Sequence, residues 1–358
     1  METLLSVTAD KGVIRQSESG RRDSSSADKS LYWDVHPGDV VYNTMRMWQG
    51  VSGVAKEGGI VSPAYTVCAP TELVSSEFLR YFLRESRLVA RFLNRSQGLV
   101  SDTWNLRYKD FAQIAVDLPP LLEQQRIAEI LGEVDLRSRI VRTEIAKERI
   151  RFNALRDSLV ESGSSVEKVH FCDAVDFPSS QVSPLEEPYK SQILVAPDHV
   201  ESGTGVLLEK RTAESQGAIS GKYAFISGDV IFSKIRPYLR KVILADFAGI
   251  CSADMYPLRP KNGLKSEYLV HLLLGQEFSR FVASVSMRTG IPKVNRMELA
   301  DWMLEIPPIS RQRKVADILR AHGGHLDFLN RELEKMVLLK FSIWEDLLSG
   351  EVRVPVAP

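Results

Sequence analysis

The chain has 358 residues, which is enough for two or three domains with separate cores. Its hydrophobic fraction of 44% and charged fraction of 26% are those of ordinary globular proteins, and it contains no run of about 18 apolar residues that could span a membrane. Because 46 basic side chains balance 46 acidic ones, the composition excludes a highly basic coat for nucleic acids but allows a locally basic groove.

The N-terminus and the cysteines indicate the compartment. Residues 1–13, METLLSVTADKGV, have no basic region followed by an apolar core, so they do not form a secretory signal. Cys68, Cys172 and Cys251 lie far apart without a CxxC pair, which argues against a disulfide framework or a zinc site. We therefore expect a cytoplasmic protein.

The second half of the chain repeats the first half. The matched stretches, at an offset of 188 to 190 residues, are GDVVYNTMR from Gly38 with GDVIFSKIR from Gly228, GIVSPAYTVCAP from Gly59 with GICSADMYPLRP from Gly249, SSEFLRYFL from Ser75 with KSEYLVHLL from Lys265, and LPPLLEQQRIAEIL from Leu118 with IPPISRQRKVADIL from Ile306. Since their order and spacing are kept, the chain consists of two tandem copies of one domain-sized unit.

Each copy has the same order of predicted elements. Short β-type runs between Gly, Pro and Asp turns come first, namely Val40–Tyr42 and Gly59–Cys68 in one copy and Val230–Phe232 and Val242–Ala245 in the other. A helix is predicted near residues 76–94 and again near 266–284. Each copy then reaches a Pro-Pro pair, which pre-sets φ for a first helical turn, so a long helix is predicted to begin there.

Both long helices carry one apolar seam. Alternating steps of four and three residues select ten positions from Ile127 to Leu159 and ten from Val315 to Leu347, and eight of each ten are apolar. Such a 3.5-residue period is typical of a coiled coil, and two such helices most simply pair with each other. The alternative is that each docks separately as an ordinary amphipathic helix. The adjacent Gly323–Gly324, which lower helix propensity by about 2 kcal/mol, predict a kink or break in the second helix.

The chain resembles the specificity subunits of type I restriction–modification systems. The resemblance rests on the repeated Pro-Pro-helix motif, which follows a GDV(V/I)(Y/F)…R domain in each copy and continues to WEDLLSGEVRV in the second. The resemblance covers nearly the whole chain. It implies an α+β fold in which two similar α/β target-recognition domains are separated by two long helices that pair as an antiparallel coiled coil, with pseudo-two-fold symmetry.

The same resemblance divides the chain into five parts. We expect a first recognition domain at 1–118, a first spacer helix at 119–163, a second recognition domain at 164–307, a second spacer helix at 308–350 and a tail at 351–358. The first domain is expected to be shortened at its N-terminus, because 37 residues precede Gly38 whereas about 61 separate Glu167 from Gly228.

The family implies a subunit without a catalytic site, whose two domains each read one half of a split sequence in double-stranded DNA. The helices would set the unread spacer and dock DNA methyltransferase (modification) subunits, and a motor-nuclease (restriction) subunit would join the complex. No GxxxxGK[ST] loop, Gly-rich dinucleotide turn or D-P-P-[FY] motif occurs, so an enzyme acting on DNA alone is disfavoured, and we expect no cofactor or metal. The remaining alternative is a non-catalytic coiled-coil scaffold whose degenerate domains no longer read DNA sequence.

Candidate DNA-binding residues lie in the loops after the repeated strand, where the flanking frame is kept but the loop residues differ. Base readout requires Arg, Lys, Asn, Gln or hydroxyl side chains near base edges. The candidates are Tyr42, Asn43, Arg46 and Gln49 in the first copy, Ser233, Lys234, Arg236, Tyr238, Arg240 and Lys241 in the second, and Arg288, Lys293, Asn295 and Arg296 in a segment opposite SQGLVSDTWN of the first. The alternative is loop divergence without function.

The helix predicted near residues 76–94 carries a stripe of arginines within an arc of about 80°. Its members are Arg80, Arg84, Arg87, Arg91 and Arg95. Such a stripe can follow a phosphate backbone, and the alternative is a solvated face.

Overall fold

The computed structural model of the chain describes residues 3–20, 25–26, 28–99, 103–161, 168–286 and 290–355. Contacts divide the chain into a first unit, Met1–Thr143 with Arg331–Pro358, and a second unit, Glu144–Asn330. The first unit is therefore discontinuous in sequence, whereas the second is a single segment. No helix in the described part of the chain is both long and apolar enough to cross a membrane.

The first unit is built on short antiparallel strands: β1 (Leu5–Thr8), β2 (Gly12–Arg15), β3 (Trp33–Val35), β4 (Val40–Asn43), β5 (Ser52–Val54), β6 (Gly59–Val61) and β7 (Tyr65–Cys68). Strand β1 pairs with β2, β3 pairs with β6, and β4 lies between β5 and β7. Val41 on β4 and Val61 on β6 are fully buried, as the apolar runs in the sequence predict. The strands predicted from the repeated GDV motif are confirmed.

Helices α1 (Ser76–Phe82), α2 (Ser86–Arg95), α3 (Tyr108–Phe111) and the long α4 (Leu121–Glu161) follow. The single helix predicted near residues 76–94 is wrong. The Glu85 carboxylate accepts hydrogen bonds from the backbone amides of Arg87 (2.8 Å) and Leu88 (2.7 Å). A side chain that caps amides in this way starts a new helix, so the chain changes direction between α1 and α2.

The second unit has a fuller set of strands: β8 (Lys168–His170), β9 (Val175–Asp176), β10 (Gln181–Val182), β11 (Leu194–Val195), β12 (Lys222–Phe225), β13 (Val230–Ser233), β14 (Val242–Leu244), β15 (Gly249–Cys251), β16 (Met255–Pro260) and β17 (Met303–Glu305). They form sheets with the orders β10-β12-β15-β11, β14-β13-β16-β9 and β17-β8. The register of β13 with β14 pairs Val230 with Leu244, inside the strands predicted from the sequence.

The helices of the second unit are α5 (Phe171–Ala174), α6 (Ser266–Leu274), α7 (Gln276–Ser286), α8 (Arg296–Ala300) and the start of the long α9 (Ile309–Ser349). As in the first unit, the helix predicted near 266–284 is two helices, here separated at Gly275, which has extended rather than helical backbone angles.

Helices α4 and α9 have 41 residues each. Helix α9 continues through Gly323 and Gly324, so the predicted break is wrong, whereas a kink there stays a prediction. Glycine lowers helix propensity but keeps the N–H that the helix needs. All ten seam positions of α4 are buried or partly buried, and on α9 only His322 of the ten is exposed. The 3.5-residue seam therefore describes both helices correctly.

Within the first unit, the long helices run antiparallel. Glu123 near the start of α4 contacts Arg353 just beyond the end of α9. Further along α4, Asp135 contacts Lys340, which comes earlier in α9. In the second unit, Phe152 and Leu155 of α4 share an apolar cluster with Leu319 of α9. Each unit therefore contains a segment of both long helices in its core.

The cores of the two units differ around Phe171 of the second unit. In the second unit, Phe171 and Ala174 are fully buried, and the Phe171 ring lies 5.6 Å from the Trp302 ring. Residues 168–176 have no counterpart among the described residues of the first unit, because the bridge between Leu4 and Ile60 already matches the pairing of Leu194 with Ile250. At the equivalent place the first unit has an apolar cavity of about 320 Å³.

Candidate DNA interface

In the second unit, strand β13 ends in a loop with an uncommon backbone conformation. Arg236 and Arg240 have left-handed φ angles of 46° and 49° and flank a short 3-10 turn, Pro237–Leu239. Such non-glycine positions cost about 1–3 kcal/mol each and are concentrated at binding and active sites. Two arginines of this loop are therefore in a conformation that the surrounding structure must stabilise.

A second segment, residues 290–296, packs against this loop. The backbone amide of Arg236 donates to the Pro292 carbonyl (2.7 Å), and the amide of Val294 donates to the Lys234 carbonyl (2.9 Å). Two stretches that are about 55 residues apart in sequence thus form one surface. The structure brings together the two groups of candidates that the sequence placed in separate segments.

Three candidate side chains on this surface are exposed: Arg236, Tyr238 and Lys293. Arginine and lysine donate to guanine edges and to phosphates, and tyrosine offers a hydroxyl and an aromatic face. Of the same set of candidates, Arg288 lies outside the described residues. The exposed side chains give the surface hydrogen-bond donors and positive charge.

Arg296 is held behind this surface by two aromatic rings. Its guanidinium carbon lies 5.4 Å from the ring centroid of Tyr223 and 5.2 Å from that of Tyr256, and Lys234 Nζ lies 5.3 Å from the Tyr256 centroid. Cations at these distances are attracted to the ring face. Burial raises the pKa of Tyr256, and the charge of Arg296 opposes that rise. The rings therefore fix two cations behind the loop.

The other candidates of the second unit are hydrogen-bonded within it. The bonds join Ser233 Oγ to the Ile235 carbonyl (3.0 Å), Lys241 Nζ to the Pro197 carbonyl (2.6 Å), Arg240 Nη1 to the Leu274 carbonyl (3.3 Å), and the Glu298 amide to Asn295 Oδ1 (2.9 Å). In this structure these side chains shape the loop and cap α8.

The first unit repeats the junction with different side chains. The amide of Leu106 donates to the Thr44 carbonyl (2.8 Å), which corresponds to the bond from Val294 to Lys234 at offsets of 188 and 190 residues. Leu106 and Val294 are both fully buried. The backbone frame is therefore kept between the units while the neighbouring surface residues change.

Of the four candidates in the first unit, Arg46 and Gln49 are exposed. Tyr42 is fully buried, and burial raises its pKa to about 12. Asn43 Oδ1 accepts a hydrogen bond from the Met45 amide (3.0 Å), so this side chain closes the turn after β4. Two of the candidates thus face solvent and two support the loop.

Two tryptophans at this junction were missed in the sequence. Trp104 packs edge-on against Trp48 with ring centroids 5.2 Å apart, and Trp48 Nε1 donates to the Met45 carbonyl (3.1 Å). The repeat could have indicated Trp104, because it aligns at the offset of 188 with Pro292. The Pro292 carbonyl accepts the hydrogen bond from Arg236 in the loop of the second unit.

The five predicted stripe arginines do not form one continuous face, since they are divided between the neighbourhoods of α1 and α2. Their partners within the first unit are Glu77 for Arg80, the Ser52 carbonyl for Arg84, Glu351 for Arg87, the Ala115 carbonyl for Arg91, and Gln113 for Arg95. The prediction of a single stripe on one helix is therefore wrong.

The candidate surfaces contain hydrogen-bond donors and positive charge. No group of three His, Cys, Asp or Glu side chains within the described ranges is placed to hold a metal ion. Their chemistry is that of binding an anionic, hydrogen-bonding ligand.

Residues 36–148 and 201–337 match the protein family described as the type I restriction modification DNA specificity domain. This chain belongs to that family. The two matched regions fall largely in different units, so each unit carries a specificity domain, and the two junctions described above both lie within the matched residues.

Individual relatives carry the same description. The specificity subunit of the type I restriction enzyme EcoDI from Escherichia coli is 31% identical over 185 residues, which are 52% of this chain and 41% of that subunit. The MjaVIII specificity subunit from Methanocaldococcus jannaschii is 21% identical over 344 residues, 86% of this chain and 78% of that one. The chain thus aligns with less than half of the length of the EcoDI subunit.

Solved structures show the same fold. A chain from a structure of type I R-M complex assembly and conformational transition has a TM-score of 0.59 at 17% identity, covering 91% of this chain and 85% of its own length. The type I restriction-modification S subunit from M. genitalium has a TM-score of 0.53 at 13% identity, covering 90% and 84%. The specificity-subunit fold of two domains with long helices is therefore the fold of this chain.

Proposed function

We propose that the chain is the DNA-specificity subunit of a type I restriction–modification complex, in which each unit reads one half of a two-part site in double-stranded DNA. The observation that supports this most directly is the duplicated junction, in which the bonds from Leu106 to Thr44 and from Val294 to Lys234 hold two surface segments together in each unit. Two domains that recognise different half-sites require the same backbone arrangement with different exposed side chains.

The exposed side chains have distinct roles in this proposal. In the second unit, Arg236 and Lys293 donate to guanine edges or to phosphates, and Tyr238 adds a hydroxyl. In the first unit, Gln49 can both donate to and accept from an adenine, while Arg46 donates to a guanine or a phosphate. The two units therefore read different sequences.

We further propose that the chain is a non-catalytic subunit. In this proposal DNA methyltransferase (modification) subunits dock on the long helices, and a motor-nuclease (restriction) subunit completes the complex. Exposed apolar side chains support docking, because such residues mark interaction surfaces. They are Leu136, Ile140 and Ile150 on α4 and Phe328, Leu338 and Leu339 on α9. Unpaired Cys68, Cys172 and Cys251 fit the reducing cytoplasm in which such a complex would act.

A second candidate function is a coiled-coil scaffold whose domains no longer read DNA. One observation favours it: in the first unit two of the four candidates, Tyr42 and Asn43, support the loop, which leaves Arg46 and Gln49 at the surface. A domain with so few exposed candidates could keep the fold of a recognition domain without sequence specificity.

The deciding experiment is selection from a random duplex library, at several salt concentrations, with and without methyltransferase subunits. The proposal requires an enriched motif made of two separated halves. If no such motif is enriched under either condition, the DNA-reading proposal is wrong and the scaffold remains.

Variants of the exposed side chains then show which unit recognises which half of the motif. Arg236→Ala with Lys293→Ala is expected to relax one half of the motif by about 1–3 kcal/mol per base contact, whereas Arg46→Ala with Gln49→Ala relaxes the other half. Arg280→Ala is the matched control, because Arg280 is exposed on α7 of the second unit and pairs with Glu161. Equal effects of all three variants on both halves would contradict the assignment.

A further inference from the structure

The first unit contains an open cleft of about 770 Å³ between the loops of its strands, α1, α4 and α9. Seven of the residues that line this cleft are lysine or arginine, and two are aspartate. Six of the cations are Lys11, Lys56, Arg80, Arg84, Arg139 and Arg142. The chain as a whole has no net charge, so the excess of positive charge in this cleft is a local feature, although Glu77 next to the cleft forms an ion pair with Arg80.

The seventh cation is matched by an acid. Lys340 Nζ lies 2.6 Å from Asp135 Oδ1, and the Tyr81 hydroxyl donates to Asp135 Oδ2 (3.0 Å). This carboxylate is therefore compensated inside the cleft and does not neutralise the remaining cations. Arg139 and Arg142, one turn apart on α4, are exposed to solvent at the cleft.

Several donors at the cleft are buried without a partner. Ser138 is 4% exposed, and neither its hydroxyl nor Trp344 Nε1 nor Arg84 Nε has a hydrogen-bond partner among the residues that the structure describes. A buried donor without an acceptor costs about 1–3 kcal/mol. Burial and, secondly, the charge of Arg80 lower the pKa of Arg84. Negative charge in the cleft would offset the repulsion between Arg80 and Arg84, and acceptor oxygens would pair with the exposed guanidinium groups of Arg139 and Arg142.

The second unit provides an internal comparison, because the same place in its fold holds a cleft without excess charge. That cleft is lined by three arginines and three acids, and by His271, whose pKa burial lowers to about 4. At the offsets of the repeat, Arg139 corresponds to Asp327 and Arg142 to Asn330. Positive charge is therefore not a requirement of the fold at this position.

We propose that the cleft of the first unit is a binding site for the phosphodiester backbone of duplex DNA, outside the loops that read bases. This inference rests on the proposed function, because it assumes that DNA is the ligand of the chain. Lysine and arginine contacts to phosphates add affinity and salt dependence but no sequence preference. An acidic protein segment is the competing occupant. Phosphodiester is favoured because a chain of zero net charge needs a local positive surface to attract DNA.

The test is a double variant, Arg139→Glu with Arg142→Glu, whose affinity for one fixed duplex is measured in the full chain across a series of salt concentrations. Each lost phosphate contact is expected to reduce the slope of log affinity against log salt by about 0.9, so the slope should fall by about 2. The selected sequence motif should stay the same. Arg139→Gln with Arg142→Gln should reduce the slope in the same direction without introducing acids.

Arg126→Glu with Arg137→Glu is the matched control, because both arginines are exposed on α4 in the first unit and neither lines the cleft. Its change in net charge is the same. If the cleft variant and this control have equal slopes, the proposal is wrong. It is also wrong if the cleft variant keeps its DNA slope but loses binding to a methyltransferase subunit, which would assign the cleft to a protein. Absence of a sequence motif would reject the proposed function without changing these slopes.

Discussion

Gln124 and Gln312 are equivalent buried residues that make the same three hydrogen bonds in their separate units. Each amide oxygen accepts a backbone N–H, and each amide nitrogen donates to two carbonyls. The partners are the Ser75 amide with the Leu73 and Pro119 carbonyls for Gln124, and the Lys265 amide with the Gly263 and Pro307 carbonyls for Gln312. One side chain thus fastens the turn before a short helix to the Pro-Pro start of a long helix.

Replacing either glutamine by leucine should destabilise its own unit. Gln312→Leu removes three hydrogen bonds, one of them to the carbonyl of the buried Pro307. At about 1 kcal/mol per bond we expect a loss of about 3 kcal/mol, with the same loss in the first unit for Gln124→Leu. Urea unfolding, combined with hydrogen exchange that reports each unit separately, measures both effects. Gln276→Leu, at an exposed position of α7, should change stability by less than about 0.5 kcal/mol. A loss below about 1 kcal/mol at Gln312 would show that the junction does not depend on these bonds.

Filling the glycine pair of α9 should stabilise the second unit. A Cβ built at Gly323 or Gly324 meets no atom within 4 Å, and both residues are helical, so each change to alanine is expected to add about 1 kcal/mol. Thermal unfolding measures the gain. Gly203→Ala is the opposite control, because Gly203 has a φ of 75° and an added Cβ would lie 3.3 Å from Arg240. A loss of stability in the Gly323→Ala variant would indicate that the helix needs flexibility at that point.

The carboxylate of Glu123 should make the stability of the first unit depend on pH. Arg353 donates to both of its oxygens and the Val354 amide donates to one, and these bonds hold the Glu123 pKa below its usual 4.5. A lowered pKa in the folded state stabilises the protein at pH values above 4.5, and this contribution is lost as the pH falls below it. Glu123→Gln should therefore lower the melting temperature at pH 7 and flatten its decline between about pH 5 and pH 3. Parallel pH curves for the two proteins would contradict this expectation.

Lengthening the helices should change the spacing of the DNA site if the proposed function is correct. We consider a four-residue insertion between Thr143 and Glu144 together with one between Asn330 and Arg331, each about one helical turn or 6 Å. The two half-sites should keep their sequences while the number of unread base pairs between them changes. Sequencing of methylated sites in the assembled complex measures the spacing. An unchanged spacing would reject the role of the helices as a ruler.

The sequence predicted the frame of the fold better than its details. The strands around Val40 and Val230 and the starts of α4 and α9 follow from local patterns, namely a short apolar run after a GD turn and a Pro-Pro pair before a 3.5-residue seam. The break between α1 and α2 does not follow from a local pattern, because it depends on the direction in which the Glu85 carboxylate points.

The positions of the candidate loops followed from the sequence, but the roles of their side chains did not. The loops after β4 and β13 could be chosen because their flanks repeat while their residues differ. The burial of Tyr42 and the contact of Lys234 with Val294 depend on segments about 60 residues apart, which no local pattern reports. The cleft at Arg139 was not predicted either, because its charged residues lie on separate loops and helices that only the fold brings together.

The division of the first unit into two segments has a consequence for synthesis. Leu347 and Leu348 near the end of α9 pack against Leu131 in the core of that unit, yet the ribosome makes them after the whole of the second unit. The second unit can fold as soon as it emerges, whereas the first must wait for the last residues of α9. The half of the molecule that is translated first is therefore expected to mature last, and a chaperone would meet it with part of its apolar core uncovered.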